Sequence, residues 1–286
     1  MSFAIVADSS CNLKGWKPAA PDTEFISVPL SIHAGTYDFV DDDALDINEM
    51  LTCVEGEKDG SSTSCPSVGS WADAFRAADN VIAITISSNL SGSYDSALTA
   101  RDLVLSDDAA SSRRIHVLNS RAAGGKLEVI VTLLDRYLIN NPDDFTGAVA
   151  FVEDLEKHSM VLYSLSGYDN LVKSGRMPRV AGQVASMLSI RILGTASDEG
   201  IIQVVGPTRG EKKTYRKICD TMASDGYAGG LVYIDHVLNE DGARDLAKAI
   251  VNTWPNADVR VLPCRGLCSH YAEPSGLIIG YEWQNR

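Results

Sequence analysis

The sequence predicts an α/β protein of two domains, an N-terminal parallel-sheet α/β domain over residues 1–158 and a C-terminal mixed α+β two-layer domain over residues 159–286. In the first half, short apolar runs alternate with amphipathic helical patterns, which is typical of a parallel sheet covered by helices. In the second half, consecutive strands are joined by a tight turn and are therefore expected to be antiparallel. A length of 286 residues also suits two ordinary domains of roughly 150 residues each.

The first two predicted strands are short and apolar. Phe3 to Val6 predicts a buried strand whose end is followed by the polar residues Asp8-Ser9-Ser10. Phe25 to Ile32 predicts a second strand, in which Pro29 indicates a sheet edge or a bulge because proline has no N–H to donate.

An acidic stretch and a turn-rich link come next. Between Asp38 and Asp59, the run Asp41-Asp42-Asp43 could bind a metal ion, but a solvated loop capping a helix that begins near Asp46 is the favoured interpretation. Gly60 to Ser67 predicts a link of turns, with Ser67 capping a helix through Ala78.

The stretch from Ile82 to Asp95 carries the clearest functional signal. An apolar strand ends near Ile86, and five polar side chains then occur within the seven residues Ser87 to Ser93, before a helix from Gly92 to about Leu105. Ligands bind at the carboxyl ends of strands in open α/β sheets, and the free amides of a helix start favour an anion. The alternative is a helix cap with spare serines.

The remaining elements complete the two-domain pattern. A strand at Ile115–Leu118 and an amphipathic helix around Leu127–Leu138 end the first half, and the second half opens with a strand at Met160–Leu165 and a short helix at Tyr168–Ser174. The later elements are a hairpin of Ile190–Ala196 with Ile201–Val205, helices around Tyr215–Met222 and Ala243–Trp254, and strands at Leu231–Ile234, Val259–Leu262 and Leu277–Tyr281.

Composition narrows the class of protein. Hydrophobic residues make up 45% of the chain, enough for a sizeable core, and the net charge of −13 disfavours nucleic-acid binding. Met1 to Leu13 lacks the features of a secretory signal, no apolar run approaches ~18 residues, and the six cysteines are scattered. We therefore expect a cytoplasmic protein with reduced cysteines.

The segment of residues 173–217 is basic within this acidic chain. It is most simply a solvated face, but it lies where the two halves join, so it is a candidate site for an anionic group or an acidic partner and for transient membrane contact. Its cations are Lys173, Arg176, Arg179, Arg191, Arg209, Lys212, Lys213, Arg216 and Lys217.

Familiar catalytic motifs do not match. Gly124-Gly125-Lys126 lacks the first glycine and the final Ser or Thr of a phosphate loop, and the chain has neither G-x-G-x-x-G after the first strand nor a G-x-S-x-G elbow. A serine-dependent hydrolase or acyl-transfer enzyme using Ser91 or Ser93 with His270, and an aspartate such as Asp8, remains the alternative function, because triads are recognised by geometry.

A zinc site is the other open alternative. Cys264, Cys268 and His270 form a C-x₃-C-x-H cluster that would need a distant fourth ligand, such as His236 or Cys219. Buried cysteines more often act as small apolar residues, so no metal is expected.

Taken together, the polar motifs resemble those of the DegV family of bacterial fatty-acid-binding proteins over nearly the whole chain. The pairing of a Thr-Ser-x-Pro motif with Ser-Ser-x-Leu-Ser-Gly is specific. The matching segments are Asp8-Ser9-Ser10, Thr63-Ser64-Cys65-Pro66-Ser67, Ile86 to Tyr94, Leu171 to Arg176, Thr208-Arg209 and Ser269-His270.

The resemblance implies a carrier and not an enzyme. One long-chain fatty acid, such as palmitate, stearate or oleate, would occupy an apolar tunnel with its carboxylate at the domain junction, and no other cofactor is implied. Some members present this carboxylate to a separate ATP-dependent fatty-acid kinase subunit, which converts it to an acyl phosphate. This chain would then act as the binding subunit.

The resemblance also implies roles for particular residues. Thr63 and Ser91 would donate hydroxyl hydrogen bonds to the carboxylate and Gly92 a backbone amide, with Ser64 and Ser93 beside them. The outer polar network would consist of Arg176, Arg209, His270 and Asp8.

The chain departs from the family pattern in two places. His270 to Gly276 replaces a glycine-rich His-Thr-Gly-x-Gly turn and adds the acid Glu273, and Cys65 stands where Gln is common.

Overall fold

A four-stranded parallel sheet forms the centre of the N-terminal half. The structure, a computed structural model, describes residues 2–57, 60–107, 112–177 and 190–283. The strand order is β2-β1-β6-β7, and all neighbouring pairs are parallel. The strands are β1 (Phe3–Asp8), β2 (Thr23–Val28), β6 (Asn80–Thr85) and β7 (Arg114–Asn119).

Helices cover both faces of this sheet, as the alternating pattern predicts. On one face, Trp71 and Phe75 of α2 (Val68–Phe75) pack with α3 (Ser93–Asp107) against β1 and β6. On the other face, α4 (Gly125–Asn140) and α5 (Phe145–Lys157) pack against the sheet. The predicted cap is confirmed at Ser67, whose hydroxyl accepts from the Ser70 N–H at 3.0 Å, although α2 ends three residues before Ala78.

A small antiparallel sheet of order β4-β3-β5 corrects two predictions. Its strands are β3 (Ser31–Ala34), β4 (Tyr37–Val40) and β5 (Ser61–Ser64). The single strand predicted over residues 25–32 is wrong: Pro29 separates β2 from β3, and the Leu30 N–H bonds to the Ser9 hydroxyl at 3.0 Å. The predicted link over residues 60–67 contains β5, held by pairing with β3.

The predicted cap at Asp46 is confirmed, but the prediction of a solvated loop is wrong at Asp41, which is buried. Asp46 accepts hydrogen bonds from the Asn48 and Glu49 N–H groups at the start of α1 (Ile47–Gly56). Asp41 is buried and accepts from the Gly266 and Leu267 N–H groups at 2.6 and 2.8 Å, so it caps another helix. That helix is the last of the chain.

A six-stranded mixed sheet organises the second half in the order β10-β9-β8-β13-β11-β12. The predicted hairpin, formed by β9 and β10, is confirmed. All neighbouring strands in this sheet are antiparallel except the parallel pair β11 and β12. The strands are β8 (Ser159–Leu165), β9 (Ile190–Ala196), β10 (Ile202–Arg209), β11 (Leu231–His236), β12 (Asp258–Pro263) and β13 (Leu277–Glu282).

Four helices belong to this half within the described residues. They are α6 (Asp169–Lys173), α7 (Glu211–Ser224), α8 (Glu240–Thr253) and α9 (Gly266–Ala272). The apolar sides of α7 and α8 pack on one face of the sheet through a cluster that includes Ile218, Leu246 and Ile279. The opposite face therefore remains for contact with the first half of the chain.

Helix α4 joins the two large sheets. The backbone of Gly125 lies so close to that of Gly280 on β13 that a side chain on either glycine would overlap the other strand or helix. Thr132 and Tyr233 also share a hydrogen bond of 2.8 Å between α4 and β11. Helix α4, from the first half of the chain, therefore packs on the sheets of both halves. The predicted domain boundary between residues 158 and 159 stays a prediction. No helix within the described residues is long and apolar enough to cross a membrane.

Candidate functional site: an apolar cavity between the two sheets

A cavity lies between the two halves of the chain and is lined mainly by carbon. The space between its lining atoms is about 620 Å³, a figure that includes open solvent at its mouth. Its apolar lining consists of Leu30, Ile86, Leu90 and Ala123 from the first half and Leu165, Leu171, Ile202, Leu267, Ala272 and Ile278 from the second.

Thr63, Tyr271 and Arg176 of the lining are linked by contacts, and Ser91 is counted with this polar group as the sequence neighbour of Leu90. The Thr63 and Tyr271 hydroxyls are 2.9 Å apart, which joins β5 to α9. The Arg176 guanidinium lies over the Tyr271 ring, 5.0 Å from its centre, and its Nε donates to the Leu90 carbonyl at 2.8 Å. Ser91 follows Leu90 and also lines the cavity. The group thus offers one positive charge and three hydroxyls, all on half-buried residues.

Strand alternation separates Thr63 from Ser64. Successive side chains of β5 point to opposite faces, so Thr63 lines the cavity while the Ser64 hydroxyl bonds to His33 Nε2 at 2.9 Å. The structure therefore places Ser64 beside the site but not in its lining.

Ser91, Gly92 and Ser93 have different environments at the start of α3. The Ser93 N–H donates to the Ser91 hydroxyl at 3.3 Å, which fixes the turn that holds Ser91 at the cavity. Gly92 is exposed and is not among the lining residues. A side chain at Gly92 would first meet Cys65 Sγ, at an ordinary contact distance of 3.5 Å.

Asp8 and Ser93 form a buried support behind the lining. Asp8 Oδ2 accepts from the Ser93 hydroxyl at 2.6 Å and from the Ile86 N–H at 2.9 Å, while Oδ1 accepts from the Ser10 hydroxyl at 2.5 Å. Burial raises the pKa of Asp8, and these donors oppose that effect by stabilising the charged form. This carboxylate thus ties the ends of β1 and β6 to the start of α3.

His270 lies next to the polar group without lining the cavity. Its ring packs edge-on against that of Tyr271, with 4.5 Å between centres, and is almost fully buried. Burial and then the Arg176 charge lower the pKa of His270 to about 4, so the imidazole is neutral at pH 7. Its Nδ1 has no hydrogen-bond partner among the described residues.

The additional acid Glu273 bonds to the first turn of α6. Its Oε1 accepts from the Asn170 N–H at 2.8 Å, and burial raises its pKa. It is absent from the cavity lining, so the departure from the glycine-rich turn does not add an acid there. The same departure instead provides Tyr271.

Apart from Arg176, the described cations of the basic segment do not line the cavity. Arg209 is exposed at the end of β10, opposite Ile190, and does not line the cavity. Arg179 falls outside the described residues. The cations of α7 form an exposed basic face made of Lys212, Lys213, Arg216 and Lys217.

The two alternatives, a serine-dependent enzyme and a zinc site, find little support in the geometry. Ser93 donates to Asp8 and Ser91 accepts from a backbone N–H, and no hydrogen bond from either serine to His270 occurs among the described residues. Cys268 donates to the Ser10 carbonyl at 3.3 Å. No cluster suited to a metal ion is found in the part of the chain that the structure describes.

The sequence did not predict that Tyr163, Cys268 and Tyr271 line the cavity. Leu267, Cys268, Tyr271 and Ala272 all line the cavity because their spacing places them on one side of α9. That spacing was the available signal. For Tyr163 of β8, the sequence contained no such signal beyond its position in an apolar strand.

The fold and the lining define a class: an α/β protein whose parallel and mixed sheets enclose an apolar cavity with a group of polar residues in its wall. A family model described as "Uncharacterised protein, DegV family" matches residues 2–282. The chain therefore belongs to the DegV family.

Similar proteins agree with this assignment over their full lengths. A DegV domain-containing protein of Streptococcus pneumoniae is 37% identical, with 99% of each chain covered. The solved structure of the S. pneumoniae Fatty Acid Kinase B3 protein loaded with linoleic acid has a TM-score of 0.94 at 37% identity, covering 99% of both chains. A Eubacterium eligens DegV family protein loaded with heptadecanoic acid has a TM-score of 0.93 at 32% identity, covering 99% of this chain and 100% of that one.

Proposed function

We propose that this protein binds one long-chain fatty acid in the cavity between its sheets. The observation that carries the proposal is the contrast within the lining, which is apolar apart from a few residues. Among these, Thr63, Tyr271 and Arg176 contact one another. An amphiphile with one anionic end and a long apolar tail matches that arrangement. The linoleic and heptadecanoic acids in the two related structures support the same class of ligand.

In this proposal the carboxylate is held by hydroxyl, amide and guanidinium donors. Thr63 and Ser91 donate hydroxyl hydrogen bonds, the Gly92 amide lies at the adjacent helix start, and Arg176 supplies the positive charge. Charge-assisted hydrogen bonds are about twice as strong as neutral ones, so they offset the loss of water around the carboxylate. Ser93 and Asp8 support these donors from behind the lining, and His270 packs against Tyr271 beside them. Ser64 and Arg209 lie outside the lining and have no direct part in holding the carboxylate.

The tail supplies most of the affinity. Each buried CH₂ contributes roughly 0.8 kcal/mol, so a long chain gains more from the apolar lining than from one or two head-group bonds. The head group therefore fixes the orientation of the ligand, and the shape of the lining determines which tails fit.

The protein acts as a carrier in the cytoplasm and leaves the chemistry to a partner. The name of the related Fatty Acid Kinase B3 protein supports a kinase partner, which would phosphorylate the carboxylate that this subunit presents. The basic face of α7 is suited to an acidic surface on that partner or to transient contact with a membrane.

A titration of lipid-free protein tests the proposal. Oleate and palmitate should bind with a stoichiometry of one per chain, and methyl oleate, which has no charge, should bind more weakly. Failure of both acids to bind would contradict the proposal. Covalent labelling of Ser91 or Ser93 by a fluorophosphonate probe would favour the serine hydrolase instead.

A further inference from the structure

Three polar side chains meet on the outer face of the small sheet. His33 of β3 is directly opposite Asp38 of β4, and its Nδ1 lies 2.6 Å from Asp38 Oδ1. On the other side of the ring, His33 Nε2 lies 2.9 Å from the hydroxyl of Ser64 on β5. Because successive side chains of a strand point to opposite faces, these three residues share the face that is turned away from Thr63 and the cavity.

The order of the three groups matches that of a serine–histidine–aspartate triad. A carboxylate can only accept, so in the neutral form of His33 the Nδ1–H donates to Asp38. Nε2 is then the acceptor, and the Ser64 hydroxyl donates to it. In such a triad the imidazole is placed to take the serine proton, and the carboxylate holds the ring in the required tautomer.

The serine is accessible and has a backbone donor beside it. Ser64 is exposed, and 36% of the His33 side chain is exposed. The N–H of Cys65, which follows β5, donates to no backbone carbonyl within the described residues. In serine hydrolases, the N–H of the residue after the nucleophile is one of the donors that stabilise the developing oxyanion. The site therefore offers a nucleophile, a base and an oxyanion donor to a molecule arriving from solvent.

The stability of the sheet does not depend on this arrangement. The Asp38 side chain is 80% exposed, and exposed ion pairs contribute little to stability. Backbone pairing of β3 with both β4 and β5 already holds the three strands together. The alignment of the three side chains is thus available for chemistry.

The surroundings of Ser64 limit the substrate to small molecules. Val40 is the exposed aliphatic residue on the same face as Asp38, and its neighbours Ser31 and Ser62 are polar. Neither His33 nor Ser64 lines the cavity, so a long acyl tail would not reach apolar surroundings from this face. A short acyl group needs no such lining.

We propose that Ser64, His33 and Asp38 cleave short-chain carboxylic esters, an activity separate from fatty-acid binding. Ser64 Oγ forms a bond to the ester carbonyl carbon while its proton passes to His33 Nε2. The bond to the leaving alcohol then breaks, and the alcohol takes the proton from His33. Water hydrolyses the acyl-serine in the same way and returns the proton to Ser64 Oγ, so the products are one carboxylic acid and one alcohol.

Labelling with a fluorophosphonate probe tests the nucleophile. Peptide mass mapping should locate the label at Ser64, and His33→Gln should abolish it because the base is removed. The matched control is Ser62→Ala. Ser62 is an exposed serine of the same strand and face, directly opposite His33, but the ring bonds to Ser64 instead. This control should be labelled like wild type.

Hydrolysis of p-nitrophenyl acetate tests the reaction. Ser64→Ala should lower the rate by about tenfold or more, and Ser62→Ala should match wild type. Asp38→Asn should lower kcat and leave KM unchanged, because Asp38 orients the ring without touching the substrate. Since all four side chains are at least partly exposed, the variants should unfold at the temperature of wild type, which separates loss of chemistry from loss of fold.

Equal turnover by wild type and Ser64→Ala would overturn the proposal. A fluorophosphonate label on another residue, with Ser64 unmodified, would also overturn it. Either result would leave fatty-acid binding intact, because Ser64 and His33 lie outside the cavity lining.

Discussion

The hydroxyls of Thr63 and Tyr271 lie 2.9 Å apart and connect β5 of the small sheet with α9 of the second half. Both residues line the cavity, and Tyr271 also supports the Arg176 guanidinium through its ring. The region that departs from the family's glycine-rich turn thus supplies an aromatic hydroxyl to the polar group.

Replacing Thr63 by Val should weaken fatty-acid binding. Valine keeps the shape but removes the hydroxyl, and a hydrogen bond to a charged group contributes about 1.5–3 kcal/mol, so we expect the dissociation constant of oleate to rise by about tenfold or more. The matched control is Ser64→Ala, because Ser64 bonds to His33 and does not line the cavity. An oleate affinity that falls equally in both variants would count against a direct role for Thr63.

Replacing Arg176 by Gln should weaken the binding of oleate but not that of methyl oleate. The charge of Arg176 attracts a carboxylate and cannot act in the same way on an ester. Isothermal calorimetry with both ligands measures the difference. If both lose affinity by the same factor, Arg176 acts through packing on Tyr271 and not through its charge.

The same variant should raise the pKa of His270, since Arg176 is one of the two causes that lower it to about 4. NMR titration of the ring protons measures this, with His236 as internal reference because Arg176 is not among the causes of its lowered pKa. The folded pKa of His270 lies below its ordinary value of 6.5. The stability gained by the neutral ring is therefore present above pH ~6.5 and is lost as the pH falls toward 4.

A pair of buried carboxyl groups should make the protein less stable at higher pH. Glu128 of α4 accepts from the Asn12 N–H, and Asp235 of β11 accepts from the Asn12 side-chain amide at 2.9 Å. Burial raises the pKa of Asp235 to about 7 and that of Glu128 well above its usual range, with the Asp235 charge as the second cause for Glu128. Folding thus favours the protonated forms, and their contribution is full below the unfolded pKa near 4 and is lost as the pH rises through 7.

The variant Glu128→Gln tests whether stability falls as the pH rises. Glutamine keeps the acceptor for Asn12 and removes one ionisation, so its free energy of unfolding in urea should fall less between pH 5 and pH 8 than that of wild type. The difference should be on the order of 1–3 kcal/mol, since one pKa unit corresponds to about 1.4 kcal/mol. Glu55→Gln on the exposed side of α1 is the control and should follow wild type. Parallel pH profiles for wild type and Glu128→Gln would contradict the assignment.

Replacing Gly125 by Ala should destabilise the whole protein. A Cβ there would overlap the backbone of Gly280, and moving α4 away from β13 would disturb both halves. We expect a loss of about 3 kcal/mol or more in chemical unfolding. Gly56→Ala at the end of α1 is the control, because a Cβ at Gly56 meets nothing within 4 Å and should change stability little. Similar losses for both variants would show that the close approach does not limit packing.

The sequence predicted elements whose patterns are local. The strand at Phe3–Asp8 and the hairpin of β9 and β10 have clear apolar periodicity or a turn signal, and Asp46 and Ser67 are capping residues in capping positions. The small sheet escaped prediction because β5 consists of serines and a threonine, which form a strand here only by pairing with Ser31–Ala34. Its partner strand β3 was not predicted separately, because the apolar run on both sides of Pro29 was interpreted as one strand.

The candidate site was predictable by residue type but not by side-chain direction. Thr63, Ser91 and Arg176 line the cavity, whereas Ser93 donates to Asp8 behind it. The serines of the motifs all carry the same hydroxyl group, so residue type alone does not show which of them line the cavity. Strand alternation and the turn before α3 decide which hydroxyls reach the cavity, and these depend on contacts between distant parts of the chain. Tyr163 and Tyr271 could be placed only once both sheets were known.

Mass spectrometry of lipid extracted from the freshly purified protein is the most direct test of its role as a carrier. We expect one long-chain fatty acid per chain, and lipid-free protein should regain one equivalent when oleate or palmitate is added. A protein that yields no fatty acid after purification and takes up neither acid would contradict the central claim.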